Sequence, residues 1–290
     1  MELNEVEGVM SNNFEWNEHD FAEKYIIIKD IRHKILSTES VKKFKIFFSA
    51  NQILFYAHMS MVKLRKLFDE NDIKKSSEDN IHLQKFQTEA NYLFFSFMQT
   101  ILPYRDVVIN TKLMSSEKIK MELTNNPEFD FFLSLRNYQT HESIPILNWT
   151  IHHNFKSERK YVDVLIKKEL IDDIYVFMNN SGRKNFKNGG YEFILQNKNI
   201  PIYVLANNFL SRLIEFHKEL FELLKERVGK DLDECEYYLR KIEEYHALCI
   251  GNAFQKIIKL PGDAIPVKKE YLRFDLLLRE FGGEPTFFAW

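Results

Sequence analysis

The sequence predicts a mainly α protein, a helical bundle of about five long helices with a small mixed α/β insertion. Three observations carry this expectation. The 290 residues hold only 9 Gly and 7 Pro, about half of average usage, so turns are scarce and long elements are favoured. Apolar residues recur at intervals of three and four over several long stretches. Helix-start and helix-stop signals bracket those stretches. With 45% hydrophobic residues the chain can bury a sizeable core. A many-turned β-sandwich or propeller and a disordered chain are both disfavoured.

Residues 1–37 read as an acidic lead-in followed by a short mixed segment around Tyr25–Ile28. From Ser40 to about Asn71 the residues Val41, Phe44, Phe47, Leu54, Ala57, Met61 and Leu64 mark one face of a long helix. Ser76-Ser77-Glu78-Asp79 resembles a capping box. It opens a second long helix from about Asp79 to Ile101, which is expected to stop before Pro103. Two such helices joined by a short polar loop form an antiparallel pair. Asn126-Pro127-Glu128 is a well-formed helix start: Asn caps, Pro occupies the first turn and an acid meets the helix dipole. This third helix runs to about His141, and Pro145 prevents its continuation.

Residues 144–200 are the least helical part. Strand-like runs at Ile144–Ile151 and Lys160–Ile166 and a turn at Asn188-Gly189-Gly190 suggest the mixed insertion. Two further helices are expected over Tyr203–Val228 and Leu232–Ile258, separated by Gly229-Lys230-Asp231. The division is then a lead-in over 1–37, a helical domain over 38–260 and a C-terminal tail over 261–290 that packs on the domain or on a partner.

With 40 Lys+Arg against 42 Asp+Glu, the net charge of −2 gives no global attraction to nucleic acid or anionic membrane. Any RNA contact must come from a local basic surface. Two Cys cannot staple a secreted scaffold, and Cys235 and Cys249 lie roughly 21 Å apart along one expected helix. A cytoplasmic setting is expected. The acidic N-terminus lacks the layout of a signal peptide, and no apolar run is long enough to span a membrane. The chain has no dinucleotide-binding or phosphate-loop glycine pattern, no paired Cys motif and no HExxH or GxSxG signature, so neither a cofactor nor a metal is expected.

One constellation points to chemistry: Leu135-Arg136-Asn137-Tyr138-Gln139-Thr140-His141. Projected at about 100° per residue, the third helix is apolar around most of its circumference through Phe129, Phe131, Phe132, Leu133, Leu135 and Tyr138. Asp130, Ser134, Asn137 and His141 share a polar stripe. Arg136 falls within the apolar arc, where a guanidinium must find an anion or many acceptors. The chemistry that fits is phosphodiester work. Arg136 can hold a phosphate bidentately and stabilise charge on a pentavalent phosphorus. His141 can move a proton to or from a ribose hydroxyl, and Asn137 can orient the imidazole or contact phosphate. The competing reading pairs Arg136 with an acid of a neighbouring helix and leaves His141 as a helix end.

This Arg-Asn-x-x-x-His pattern, at the end of a buried helix that follows two long antiparallel helices, resembles the HEPN superfamily. Its mark is an Arg, a polar residue, and a His after four to six intervening residues, matched here by Arg136, Asn137 and His141. The resemblance covers roughly residues 40–230. It implies an α-helical bundle that forms a homodimer through its motif face, acts on RNA as a metal-independent endoribonuclease, and serves as a toxin or in antiviral defence, with a possible antitoxin or defence partner. Cleavage through the 2′-hydroxyl needs a base and an acid, and two chains supply two histidines and two arginines around one phosphate. One toxin branch of the family carries a Tyr two residues after the His, where this chain has Ser143.

Other features are secondary. Arg183, Lys184, Phe186 and Lys187 form a basic loop with one aromatic, a candidate RNA contact. His152 and His153 sit next to each other on a strand-like run and so point to opposite faces, a poor metal site. The basic residues Lys42, Lys43, Lys45, Lys63, Arg65 and Lys66 mark the solvent face of the first long helix, and Glu219, Glu222, Glu226 and Asp231 an acidic helix edge. His58, His82, His217 and His246 read as packing or surface histidines. An alternative function from a different class is a catalytically inert helical dimerisation or ligand-sensing module of a defence or regulatory system, with Phe287, Phe288 and Trp290 docking into a partner.

Overall fold

The computed structural model describes residues 18–70, 80–141, 148–154, 159–165, 168–180, 188–197 and 200–258. The capping-box tetrad 76–79, the Ile144-Pro145 turn, Ser143, the basic loop 183–187 and the tail 261–290 lie outside the described residues. The fold is mainly α. In chain order the helices are α1 (Glu18–Leu36), α2 (Glu39–Glu70), α3 (Asn80–Thr111), α4 (Ser116–Ile119), α5 (Pro127–His141), α6 (Lys168–Asn180), α7 (Gly190–Gln196) and α8 (Ile202–Ile258). A π-helical turn, Lys120–Thr124, continues α4. Strands β1 (Asn148–Asn154) and β2 (Arg159–Leu165) form one antiparallel ladder, in register from Asn148 opposite Leu165 to Asn154 opposite Arg159.

Four expectations need correction. The segment around Tyr25–Ile28 lies within α1, not in a mixed lead-in. Its β-branched run favours a strand locally, but Ile28, Ile31 and Ile35 recur at helical spacing and are buried. The second long helix does not stop before Pro103; α3 continues through it to Thr111. Pro103 is exposed, whereas Ile101, Tyr104 and Val108 are buried. The roughly 3 kcal/mol cost of an interior proline is therefore offset by three buried side chains worth about 1.5–3 kcal/mol each. Gly229 does not separate two helices either: α8 is one helix of 57 residues. An interior glycine costs only about 1 kcal/mol, and Leu224, Val228 and Leu232 carry a buried row across it. Among the described residues there are thus four long helices plus shorter ones, where about five long helices were expected.

The fourth correction concerns residues 144–200, which do not form a small mixed α/β insertion set apart from the helices. The described part includes α6 and α7, both packed on α5. Ile171 and Ile174 of α6 and Ile194 of α7 are buried at helical positions.

The chain divides into two compact units. One comprises residues up to Phe48 and from Leu224 onward. Its buried side chains include Ile35, Val41, Phe44, Leu232, Leu239 and Ile242. Within it the Ser40 hydroxyl donates to Asp231 Oδ2 at 2.7 Å, and Thr38 Oγ1 accepts from the Val41 amide at 3.4 Å at the start of α2. Cys235 is a buried free thiol beside Thr38, and burial pushes its pKa up.

The other unit, Ser49–Leu223, holds the candidate site. Its core is aromatic. Phe132 of α5 stacks on Phe209 of α8 with ring centroids 4.7 Å apart, and Phe97 of α3 meets both rings edge-on at 6.1 and 6.4 Å. Phe129 adds a fourth ring against Phe209 at 6.0 Å. Such pairs contribute about 0.5–1.5 kcal/mol each beyond the area they bury.

The continuity of α3 has a direct test. Pro103→Ala restores a helix-interior amide without touching the core and should raise the stability of the protein to urea by about 1–3 kcal/mol. A neutral or destabilising result would mean that the helix ends where the sequence first suggested.

Candidate functional site

The motif helix α5 starts as the sequence predicts. Asn126 Oδ1 accepts hydrogen bonds from the backbone amides of Glu128 at 2.9 Å and Phe129 at 3.3 Å, which satisfies two of the unpaired donors of the first turn. Phe129, Phe131, Phe132 and Leu135 are all buried.

The expected polar stripe is not a solvent face along its first turns. Asp130 and Ser134 are buried, as are Glu128 and Gln139 elsewhere on the helix. Asp130 survives burial because its Oδ2 accepts from the backbone amides of Asn188 and Gly190, each at 3.1 Å. That contact needs a glycine. A Cβ at Gly190 would lie 2.6 Å from the Phe131 backbone nitrogen, so only the bare Cα lets α7 close on α5. Gly189, at φ 87°, makes the left-handed turn that delivers it. Glu128 faces α8, where Arg212 Nη1 lies 3.0 Å from Oε2 without hydrogen-bond alignment. Burial pushes the Glu128 carboxyl up, and the Arg212 charge opposes that shift.

The second half of α5 carries the motif. Arg136 is half-buried, and its Nη1 donates to Asn137 Oδ1 at 3.0 Å. Among the described residues no carboxylate pairs with Arg136, and its buried Nε has no hydrogen-bond partner. The competing reading required an acid of a neighbouring helix beside Arg136; the buried acid of this same helix, Glu128, pairs with Arg212. Thr140 Oγ1 donates to the Arg136 carbonyl at 2.9 Å and accepts from Gln99 Nε2 of α3 at 3.3 Å, which ties the last turn of α5 to its neighbour. His141 occupies the last helical position, and its imidazole lies outside the described side chains. The structure thus brings Arg136 and Asn137 together. Asn137 holds the guanidinium here, where the sequence suggested that it orients the imidazole or contacts phosphate.

The remaining candidates divide. Arg183, Lys184, Phe186 and Lys187 lie outside the described residues. His152 and His153 are adjacent in β1, opposite Tyr161 and Lys160. Among the described residues no group of three His, Cys, Asp or Glu gathers where it would hold a metal ion. No helix there is long and apolar enough to cross a membrane. His217 is a packing histidine: it is fully buried, and its Nδ1 lies 3.3 Å from the Tyr104 hydroxyl. Burial lowers its pKa from 6.5 to about 3 and raises that of Tyr104.

Sequence reasoning noted Ser134 and Gln139 but not that both are buried with Oγ and Oε1 lacking hydrogen-bond partners, and it missed the Asp130–Gly190 contact. The Asn188-Gly189-Gly190 run was a visible signal for a close approach, but its partner helix was not legible. No family model matches this chain, and no curated protein or solved structure is similar to it by comparison.

Two outcomes follow for this unit. Gly190→Ala should destabilise the protein by about 1–3 kcal/mol in urea titration, because it forces α7 off α5. The buried neutral His217 makes stability pH-dependent. Between pH 6.5 and about 3 the unfolded chain binds a proton that the folded chain refuses, so stability falls as pH drops through that window. His217→Leu should reduce the slope by up to about 1.4 kcal/mol per pH unit, and an unchanged slope would show that His217 titrates normally in the fold.

Proposed function

We propose that this protein is a metal-independent endoribonuclease that acts as a homodimer, with Arg136 and His141 as catalytic residues and Asn137 as their positioning neighbour. The observation that carries the reading is Arg136: a half-buried guanidinium held by Asn137 and left without a carboxylate among the described residues. A cation in that setting binds an anion favourably, because part of its desolvation has already occurred. The scissile phosphate of RNA is the anion that the neighbouring histidine makes useful. In the proposed reaction one His141 takes the 2′-hydroxyl proton, the 2′-oxygen attacks phosphorus, and the other chain's His141 protonates the departing 5′-oxygen. The two Arg136 side chains stabilise the phosphorane charge. A role in toxicity or antiviral defence, and an antitoxin or defence partner, extend this reading through the resemblance alone. Its cytoplasmic setting is likewise proposed.

Purified protein should cut single-stranded RNA in the presence of EDTA and leave 2′,3′-cyclic phosphate ends. His141→Ala should lose at least 100-fold in rate, the low end of what general acid–base catalysis contributes, while keeping its helical circular dichroism. Equal cutting by wild type and variant would assign the activity to a contaminant and remove the proposal.

A further inference from the structure

The clasp that closes α7 on α5 is built around the only Asn-Gly step in the sequence, Asn188-Gly189. All of it lies within the Ser49–Leu223 unit. The backbone amides of Asn188 and Gly190 both donate to Asp130 Oδ2, each at 3.1 Å. The Asn188 side chain donates through Nδ2 to the Thr124 carbonyl at 2.6 Å, where the π-helical turn ends. Asn188 therefore ties α7 both to the motif helix and to the turn before it. Asn-Gly is also the step at which a backbone most readily attacks its own side chain. Glycine has no Cβ to shield its nitrogen, so the Gly189 nitrogen, once it has lost its proton, can add to Asn188 Cγ.

We infer that Asn188 is a concealed deamidation site, shielded while α7 is clasped to α5 and converted irreversibly when the clasp opens. The reaction needs only the chain and water. A bond forms between the Gly189 nitrogen and Asn188 Cγ, the Cγ–Nδ2 bond breaks, and Nδ2 leaves as ammonia, which takes up the amide proton through solvent. Water then opens the five-membered imide at one carbonyl or the other, giving aspartate or isoaspartate at position 188. Two features of the closed clasp oppose the attack. The bond to Thr124 pins the carboxamide, so Cγ cannot swing freely onto the Gly189 nitrogen. The Asp130 carboxylate lies against the amides on both sides of Gly189, and its charge disfavours the amide anion that must form between them. Two features of the product oppose reclosure. Aspartate turns a carboxylate toward the Thr124 carbonyl, two acceptors with no donor between them, and adds a second negative charge beside Asp130. Isoaspartate lengthens the backbone by one atom next to Gly190, where an added Cβ would already lie 2.6 Å from the Phe131 nitrogen. A chain that has reacted therefore holds the motif helix less firmly. The inference rests on the clasp alone and stands or fails independently of the ribonuclease proposal.

Peptide mass spectrometry on the full chain reads the conversion directly, as the mass gained when nitrogen is exchanged for oxygen at residue 188. In mildly alkaline buffer the folded chain should convert Asn188 at least tenfold more slowly than the same chain unfolded in urea; tenfold corresponds to a local opening free energy of about 1.4 kcal/mol. Gly190→Ala, which forces α7 off α5, should bring the rate in native buffer toward the unfolded value with helical circular dichroism retained. Asn188→Asp, which installs the product without the reaction, should unfold at a lower urea concentration than wild type. Equal conversion in the folded and unfolded chains, or none in either, would overturn the proposal. So would a Gly190→Ala rate equal to that of wild type, or an Asn188→Asp chain as stable as wild type. If Gly190→Ala does not fold, the other two measurements decide.

Discussion

The stacked pair Phe132–Phe209, braced edge-on by Phe97 and Phe129, fixes the one helix on which the candidate chemistry rests. Through it α5 is held against α3 and α8 on one side, and on the other Gly190 lets α7 approach to backbone distance. A helix buried on both sides cannot leave its polar groups to water, so each one must be satisfied locally or remain a source of binding energy. Asp130 is satisfied by two backbone amides, and Glu128 is ion-paired with Arg212 although its buried Oε2 has no hydrogen-bond partner. Further unmet groups follow along the helix. Ser134 Oγ, Arg136 Nε and Gln139 Oε1 are buried without hydrogen-bond partners. Among its described side chains, most of the helix's unmet polar atoms therefore lie between Ser134 and Gln139, around the motif.

Long-range burial also explains where local signals misled. Pro103 and Gly229 are helix breakers by any local rule, yet α3 and α8 run through them because the residues on either side are buried at helical spacing. Local penalties of about 1–3 kcal/mol per residue are small beside the burial of several large side chains. The same competition turned the Ile26-Ile27-Ile28 run, expected to be a short mixed segment, into part of α1.

What was legible in the sequence had short-range causes. Asn126-Pro127-Glu128 set the start of α5 because capping is a three-residue interaction, and the apolar rows of α2 and α3 reported their buried faces. The anomaly of Arg136 was legible too, since a helical projection placed it among hydrophobes, and it is half-buried. Its partner was not. Asn137 lies next to it in sequence, and adjacent residues on a helix diverge by about 100°, so only the bend of a long side chain joins them. Glu128–Arg212, Asp130–Gly190 and Tyr104–His217 were invisible for another reason: each links positions 60 or more residues apart, and periodicity carries no information about such pairings.

The account turns on the guanidinium of Arg136 as an anion-binding group and not a structural cation. Binding of a non-cleavable oligonucleotide, an RNA with a 2′-deoxy position at the scissile step, measures that property apart from turnover. Titrated by fluorescence anisotropy in EDTA, Arg136→Met should bind at least tenfold more weakly than wild type, with an unchanged unfolding midpoint; tenfold corresponds to about 1.4 kcal/mol, the low end for one charge-assisted contact. Equal affinity, or a loss of affinity that follows a loss of fold, would contradict the account.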